Sequence, residues 1–329
     1  MYVRRSVVVA VGAAVGLFVL VQLGALALVG PFKAAGFQSV ENPQNPTNSL
    51  LYVALLLVAT GAMLLILRYG GQWLLRAFIV FTSGLISWYV FSVLLAPVAV
   101  VVGGVNVLAL GAAAVVALAL YTYPEWYVID AAGVVMGAGA AALFGVNFGV
   151  FPAIVLLVIL AVYDAISVYG TEHMLTLASG VMEMKVPVIL IIPLSFGYSF
   201  LDETPEMGAD GVESNAGIDS DESADHATQA PGPFEREAFF IGLGDAVMPT
   251  ILVVSAAPAV GQPIAMSLPV LTGMLGTLLG LLVLLWLVMK GRAHAGLPLL
   301  NGGAILGYLV GALASGVPLL EALGIAHYL

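Results

Sequence analysis

The sequence predicts an all-α membrane protein of nine transmembrane helices, N-terminus in the cytoplasm and C-terminus outside. Three observations predict it. Hydrophobic residues make up 61% of the chain and charged residues only 9%, against about 25% charged in an average soluble protein. The apolar residues fall in long runs, and a run of about 18 or more with few charges reads as a spanning helix. The basic residues gather at alternate ends of those runs.

The first run, 7–29, follows Arg4 and Arg5. It outlasts the roughly 7–15 apolar residues of a signal peptide, so it is expected to stay as the first span. Further spans are expected near 50–67, 77–96, 98–120, 127–144, 147–169, 239–260, 268–289 and 297–315. The third and fourth meet at a tight Ala96-Pro97 corner. The fifth is rich in Gly and Ala, which suits close packing against neighbouring helices. With the N-terminus inside, Arg4, Arg5, Arg68, Arg76, Lys185, Arg236, Lys290 and Arg292 fall on the cytoplasmic side and only Lys33 outside. The whole chain, 1–329, then forms one polytopic domain in the cell membrane.

Between the sixth and seventh spans lies a long hydrophilic loop with two parts. Residues 171–200 are still apolar. Their Val186-Pro187-Val188-Ile189-Leu190-Ile191-Ile192-Pro193 stretch is too short and Pro-broken to span, and its β-branched residues suit an extended strand at the membrane surface. The second part, 202–233, is acidic and rich in Gly and Ser, with no fixed structure expected. Eleven of the nineteen acidic residues lie between Asp202 and Glu237, so the net charge of −10 belongs to this loop and points to no nucleic-acid partner. The absence of cysteine excludes disulfides, thiol catalysis and Cys-ligated metals.

Ionisable groups inside the spans are few. An acid at the bilayer centre costs about 2.5–3.5 kcal/mol or more and marks function by default. Asp164 lies well inside the sixth span and Asp245 inside the seventh, with no Lys, Arg or His deep in any span. Asp130, near the start of the fifth span, reads as an interfacial cap, and Gln22 and Asn106 as interhelical hydrogen bonders. Asp164 is about 7–8 Å from the cytoplasmic end of its span and Asp245 about 9 Å from the start of its own, at 1.5 Å per residue. At matching depth on consecutive, antiparallel spans, the two carboxyls can meet. Two close carboxyls share one proton. The ionised member can take a proton from a water that attacks an amide carbonyl, while the protonated member donates to the carbonyl oxygen. Gly242 and Gly244 remove side chains beside Asp245 and leave room for a helix or an extended substrate. Zinc chemistry would need paired ligands on a helix, and His173, His226, His294 and His327 are scattered. A serine nucleophile would need a deep basic partner. No metal or cofactor is expected.

Three motifs carry a resemblance. Tyr163-Asp164 in the sixth span, Gly242-Leu243-Gly244-Asp245 in the seventh and Leu297-Pro298-Leu299-Leu300 at the start of the ninth resemble the G-x-G-D intramembrane aspartyl proteases, presenilin and signal peptide peptidase. The family usually has Pro-Ala-Leu in the third motif, and Leu299 departs from it. The resemblance covers the nine-span layout and the long loop, and the cytoplasmic N-terminus makes the chain most like an archaeal presenilin homologue. It implies that Asp164 and Asp245 are catalytic and that Leu297, Pro298, Leu299 and Leu300 border the site. It also implies that the apolar loop segment and the residues before Gly242 pair with an unwound substrate strand. Tyr163 would pack or support the site. The implied partners are single-span membrane proteins as substrates and the lipid bilayer, and a homo-oligomer is compatible with this pattern. Buried carboxylates also serve proton- or cation-coupled transporters and ion-leak channels, so transport stands as the second expectation. Its mark would be repeat symmetry with matching broken helices, which the sequence lacks.

Overall fold

A computed structural model of the chain describes residues 2–40, 42–170, 189–194, 198–199, 238–257, 267–290 and 295–326. It contains the helices α1 (Tyr2–Ala34), α2 (Thr47–Arg68), α3 (Gln72–Leu94), α4 (Val107–Thr122), α5 (Trp126–Asn147) and α6 (Val150–Gly170). After the long loop come α7 (Leu243–Ser255), α8 (Leu268–Met289), α9 (Gly296–Ala314) and the short α10 (Leu319–Ala322). Among the described residues, two antiparallel strand pairs interrupt the helices: β1 (Val101–Val102) with β2 (Val105–Asn106), and β3 (Ile189–Pro193) with β4 (Ala238–Gly242). The protein is therefore a multi-pass helical membrane protein, but not all-α.

Among the described residues, seven helices are long and apolar enough to cross a membrane by length and composition, and α4 and α7 are shorter apolar helices. Both short helices begin later than the spans expected there. The span expected at 98–120 starts only at Val107. Before it, Gly103 and Gly104 at φ 59° and 83° turn β1 back on β2, the two-residue turn that only positive φ permits. Asn106 accepts from the backbone N–H of Leu108 and Ala109, so it caps α4 rather than bridging helices. The span expected at 239–260 is a strand followed by a 13-residue helix. Helix α1 extends beyond 7–29 at both ends, and α3 covers 72–94, against the span expected at 77–96.

Lipid tails are as apolar as the helices, so helix association rests on close packing rather than on escape from water. Glycines supply it. A Cβ on Gly24 of α1 would lie 2.9 Å from Ala138 Cβ of α5, and one on Gly139 would lie 2.5 Å from Val90 of α3. Gly145 seats Val254 of α7. Helix α5 thus stands at the centre, wrapped by α1, α3 and α7. Helices α8 and α9 meet backbone to backbone, with Gly276 against Gly303, Gly280 against Leu299 and Gly307 against Thr272. Helix α2 is the opposite case. Its only buried residue is Ser49, whose hydroxyl donates to the Pro152 carbonyl of α6 at 2.6 Å. Gln22 is fully buried, and its amide has no hydrogen-bond partner among the described residues, contrary to the expected interhelical bond. The acidic loop 202–233 and the four histidines lie outside the described residues.

Candidate active site

The site forms where three helix ends meet. Asp164 sits in the penultimate turn of α6 and is only 7% exposed. Its Oδ2 accepts the backbone N–H of Leu297 at 3.0 Å, and Gly296 also presents its N–H to this carboxylate. Asp164 therefore caps α9 from another helix, since the first turn of any helix leaves its N–H groups without partners. The positive end of the helix dipole favours a carboxylate there. One and a half turns on, the Tyr169 hydroxyl accepts the Ala295 N–H at 3.4 Å.

Asp245 arrives from the other side. It lies in the first turn of α7, not six residues into a helix as expected, because the preceding residues are β4. Pro249, four residues on, has no N–H to give the Asp245 carbonyl. The carboxylate of Asp245 lies against Gly296. A Cβ there would be 3.1 Å from Asp245 Oδ2, and one on Gly242 would be 3.6 Å from it. Asp164 and Asp245 both border the Gly296-Leu297 turn, and no cation is paired with either carboxylate among the described residues. One turn of backbone, Gly296-Leu297, thus touches both acids.

The other motif residues divide by environment. Leu243 is buried and packs toward Gly137 and Gly133 of α5. Gly242 and Gly244 are exposed, and a Cβ on Gly244 would meet nothing within 4 Å. Tyr163 is 40% exposed. Pro298 is the third residue of α9, Leu300 is fully buried, and Leu297 and Leu299 are half-buried.

The chain matches the family model described as signal-peptide peptidase, presenilin aspartyl protease over residues 15–317. The chain belongs to the signal-peptide peptidase and presenilin aspartyl protease family. Two solved structures of a presenilin family intramembrane aspartate protease, in the C222 and P2 space groups, are similar to it. Both are 37% identical, with TM-scores of 0.64 and 0.62; they cover 92% and 91% of this chain and 99% and 96% of their own. No curated protein matches the chain. It is an intramembrane aspartic protease, a peptide hydrolase that acts on membrane proteins within the bilayer.

Around the site of this presenilin-family enzyme, the structure adds residues that sequence reasoning missed. Gly296 reads as loop in the sequence, yet its lack of a side chain lets Asp245 approach α9. Asn301 is fully buried one turn after Leu297, and its Nδ2 donates to the Leu157 carbonyl of α6 at 3.0 Å. That bond ties α9 to the helix carrying Asp164. Asp130 is no helix cap: Glu125 caps α5, accepting from the Trp126 N–H. Asp130 Oδ1 instead accepts the Ile191 N–H of β3 at 2.8 Å. The extended strand expected within 186–193 is β3, and its Leu190, Ile191 and Ile192 are buried. Among the described residues, no three His, Cys, Asp or Glu side chains converge as a metal site.

Proposed function

We propose that Asp164 and Asp245 are the catalytic pair of this protease and cut single-span membrane proteins. The observation that carries this is the shared turn: Leu297 donates to Asp164 while Gly296 lies against Asp245. Two interacting carboxylates without a cation hold one proton between them. The ionised member removes a proton from water, the oxygen attacks the scissile carbonyl carbon, and the protonated member gives its proton to the carbonyl oxygen. As the gem-diol intermediate collapses, the carboxyl that took the water's proton gives it to the leaving nitrogen, the C–N bond breaks, and the other carboxylate takes a proton back from a gem-diol hydroxyl. Because both acids come from one chain, a homo-oligomer is not required.

The motif residues take supporting roles. The half-buried Leu297, Pro298 and Leu299, with Leu300 behind them, line the turn between the acids. Tyr163 faces outward beside Asp164. Gly242 and Gly244 leave a path for an extended substrate, and Leu243 anchors that path to α5. Alanine at 244 has space in the free enzyme, so Gly244→Ala is expected to hold or raise stability, by up to about 1 kcal/mol from helix propensity. Cleavage of a transmembrane reporter is expected to fall about tenfold or more, because the methyl enters the substrate's path. Thermal unfolding alongside reporter kinetics checks both halves.

We place nine crossings in the cell membrane: the seven long helices, the short α4, and α7 together with its leading strand. The N-terminus is cytoplasmic, on the eight-to-one distribution of basic residues. The family is one of proteases, and nothing in the site favours the transport alternative.

A transition-state analogue with a hydroxyl in place of the attacked carbonyl tests the pair. Tight binding that competes with substrate is expected. The rate should follow a bell in pH, rising as the first carboxyl loses its proton and falling as the second does. No binding of the analogue, or a flat profile from acid to neutral pH, would count against a shared-proton pair.

A further inference from the structure

We propose that Asp130 is a positioning residue that fixes the register of the β3–β4 ladder and, through it, the peptide bond that is cut. The proposal rests on the assignment of Asp164 and Asp245 as the catalytic pair. Ile191 lies opposite Phe240 in the ladder, with Ile189 opposite Gly242. The Ile191 N–H, however, is given to Asp130 Oδ1 at 2.8 Å and so points away from β4. This contact is buried and joins residues 61 apart in sequence. A carboxylate in the fifth helix thus holds the outer edge of β3 at one named peptide group.

The same stripe of α5 holds the rest of the path. Gly133 and Gly137 follow Asp130 at i+3 and i+7, on one helical face. A Cβ on Gly133 would lie 3.0 Å from Leu190 Cδ2, and one on Gly137 3.1 Å from Leu243 Cδ1. Strand β4 leads directly through Gly242 into Leu243 and Asp245. Helix α5 therefore sets β3 through Asp130 and Leu190, and sets the turn carrying Asp245 through Leu243. Two-stranded ladders resist slipping weakly, and a slip of one residue turns every side chain to the other face. A hydrogen bond from outside the ladder removes that freedom.

The test compares Asp130→Leu, which cannot accept a hydrogen bond, with Asp130→Asn, which keeps an oxygen where Oδ1 stands. Each full-length enzyme in proteoliposomes is given a single-span reporter, and the products are read by mass spectrometry. Asp130→Leu is expected to cut at additional neighbouring positions and lower kcat/KM about tenfold, mainly through KM. Asp130→Asn is expected to keep wild-type positions and rates within about twofold. Hydrogen exchange at Ile191 should speed up in the leucine variant only. A transition-state analogue confined to the two aspartates should bind both variants as it binds wild type. Should Asp130→Leu not fold, Asp130→Ser, whose hydroxyl ends short of the Ile191 N–H, carries the same expectations. An unchanged cleavage pattern in the leucine or serine variant would overturn the proposal, as would an asparagine variant equally impaired. Failure of the catalytic assignment looks different: activity would then survive loss of Asp164 or Asp245, whatever Asp130 does.

Discussion

Asp164→Ala and Asp245→Ala are each expected to abolish cleavage of a transmembrane reporter. The loss should reach about 10³-fold or more, because either change removes the group that moves a proton in the rate-limiting steps. Stability should separate the two residues. Asp164 accepts the Leu297 N–H at the start of α9, so its truncation also removes a helix cap, at a cost of about 0.5–2 kcal/mol. Asp164→Asn keeps an acceptor oxygen for Leu297 and should recover that stability without recovering activity. Among the described residues Asp245 caps no other helix in this way, and its truncation removes a carboxylate held in an apolar site, so Asp245→Ala should leave the unfolding midpoint unchanged or higher. Reporter cleavage with thermal unfolding in the same detergent measures both effects. Full activity in either alanine variant would remove the pair from the mechanism.

Gly296→Val is expected to have nearly as large an effect on rate. A Cβ at 296 would lie 3.1 Å from Asp245 Oδ2 and 3.3 Å from Leu284 Cδ2. One methyl already crowds the carboxylate, and the two further methyls of valine must displace it. A shift of about 1 Å in a catalytic group can cost about 10²-fold. Overpacking should also destabilise the fold by about 1–3 kcal/mol. The loss in kcat and the loss in affinity for a transition-state analogue should run in parallel, since both depend on where Asp245 stands. A valine variant that binds the analogue normally and cuts at the wild-type rate would show that Asp245 does not need its place beside α9.

What the sequence made legible follows from the physics of each residue. Asp164 and Asp245 stood out because acids in oil are costly and neither had a cation nearby. The long helices stood out because a membrane demands sustained apolar length. The break before Asp245 did not, since Ala238-Phe239-Phe240-Ile241-Gly242 is as apolar as a helix and only its partner strand, some fifty residues earlier, makes it β. The hairpin at 101–106 was hidden in the same way by a valine-rich run, although Gly103-Gly104 and a cap-forming Asn106 before the next apolar run were signals within reach. Asp130 and Gly296 were out of reach. The role of one depends on a peptide group 61 residues away. The other matters for a side chain it lacks, which shows only once α9 lies beside Asp245.

The exposed glycines at the start of α7 carry a consequence for how the reactant arrives. The first turn of that helix has amide hydrogens without carbonyl partners, and Gly242 and Gly244 leave it uncovered. Acyl chains cannot solvate such groups, so irregular backbone at that depth persists only where it is buried in protein or wetted. On the catalytic assignment proposed above, the break that delivers Asp245 is also where the attacking H2O is expected to enter, at the start of that residue's own helix.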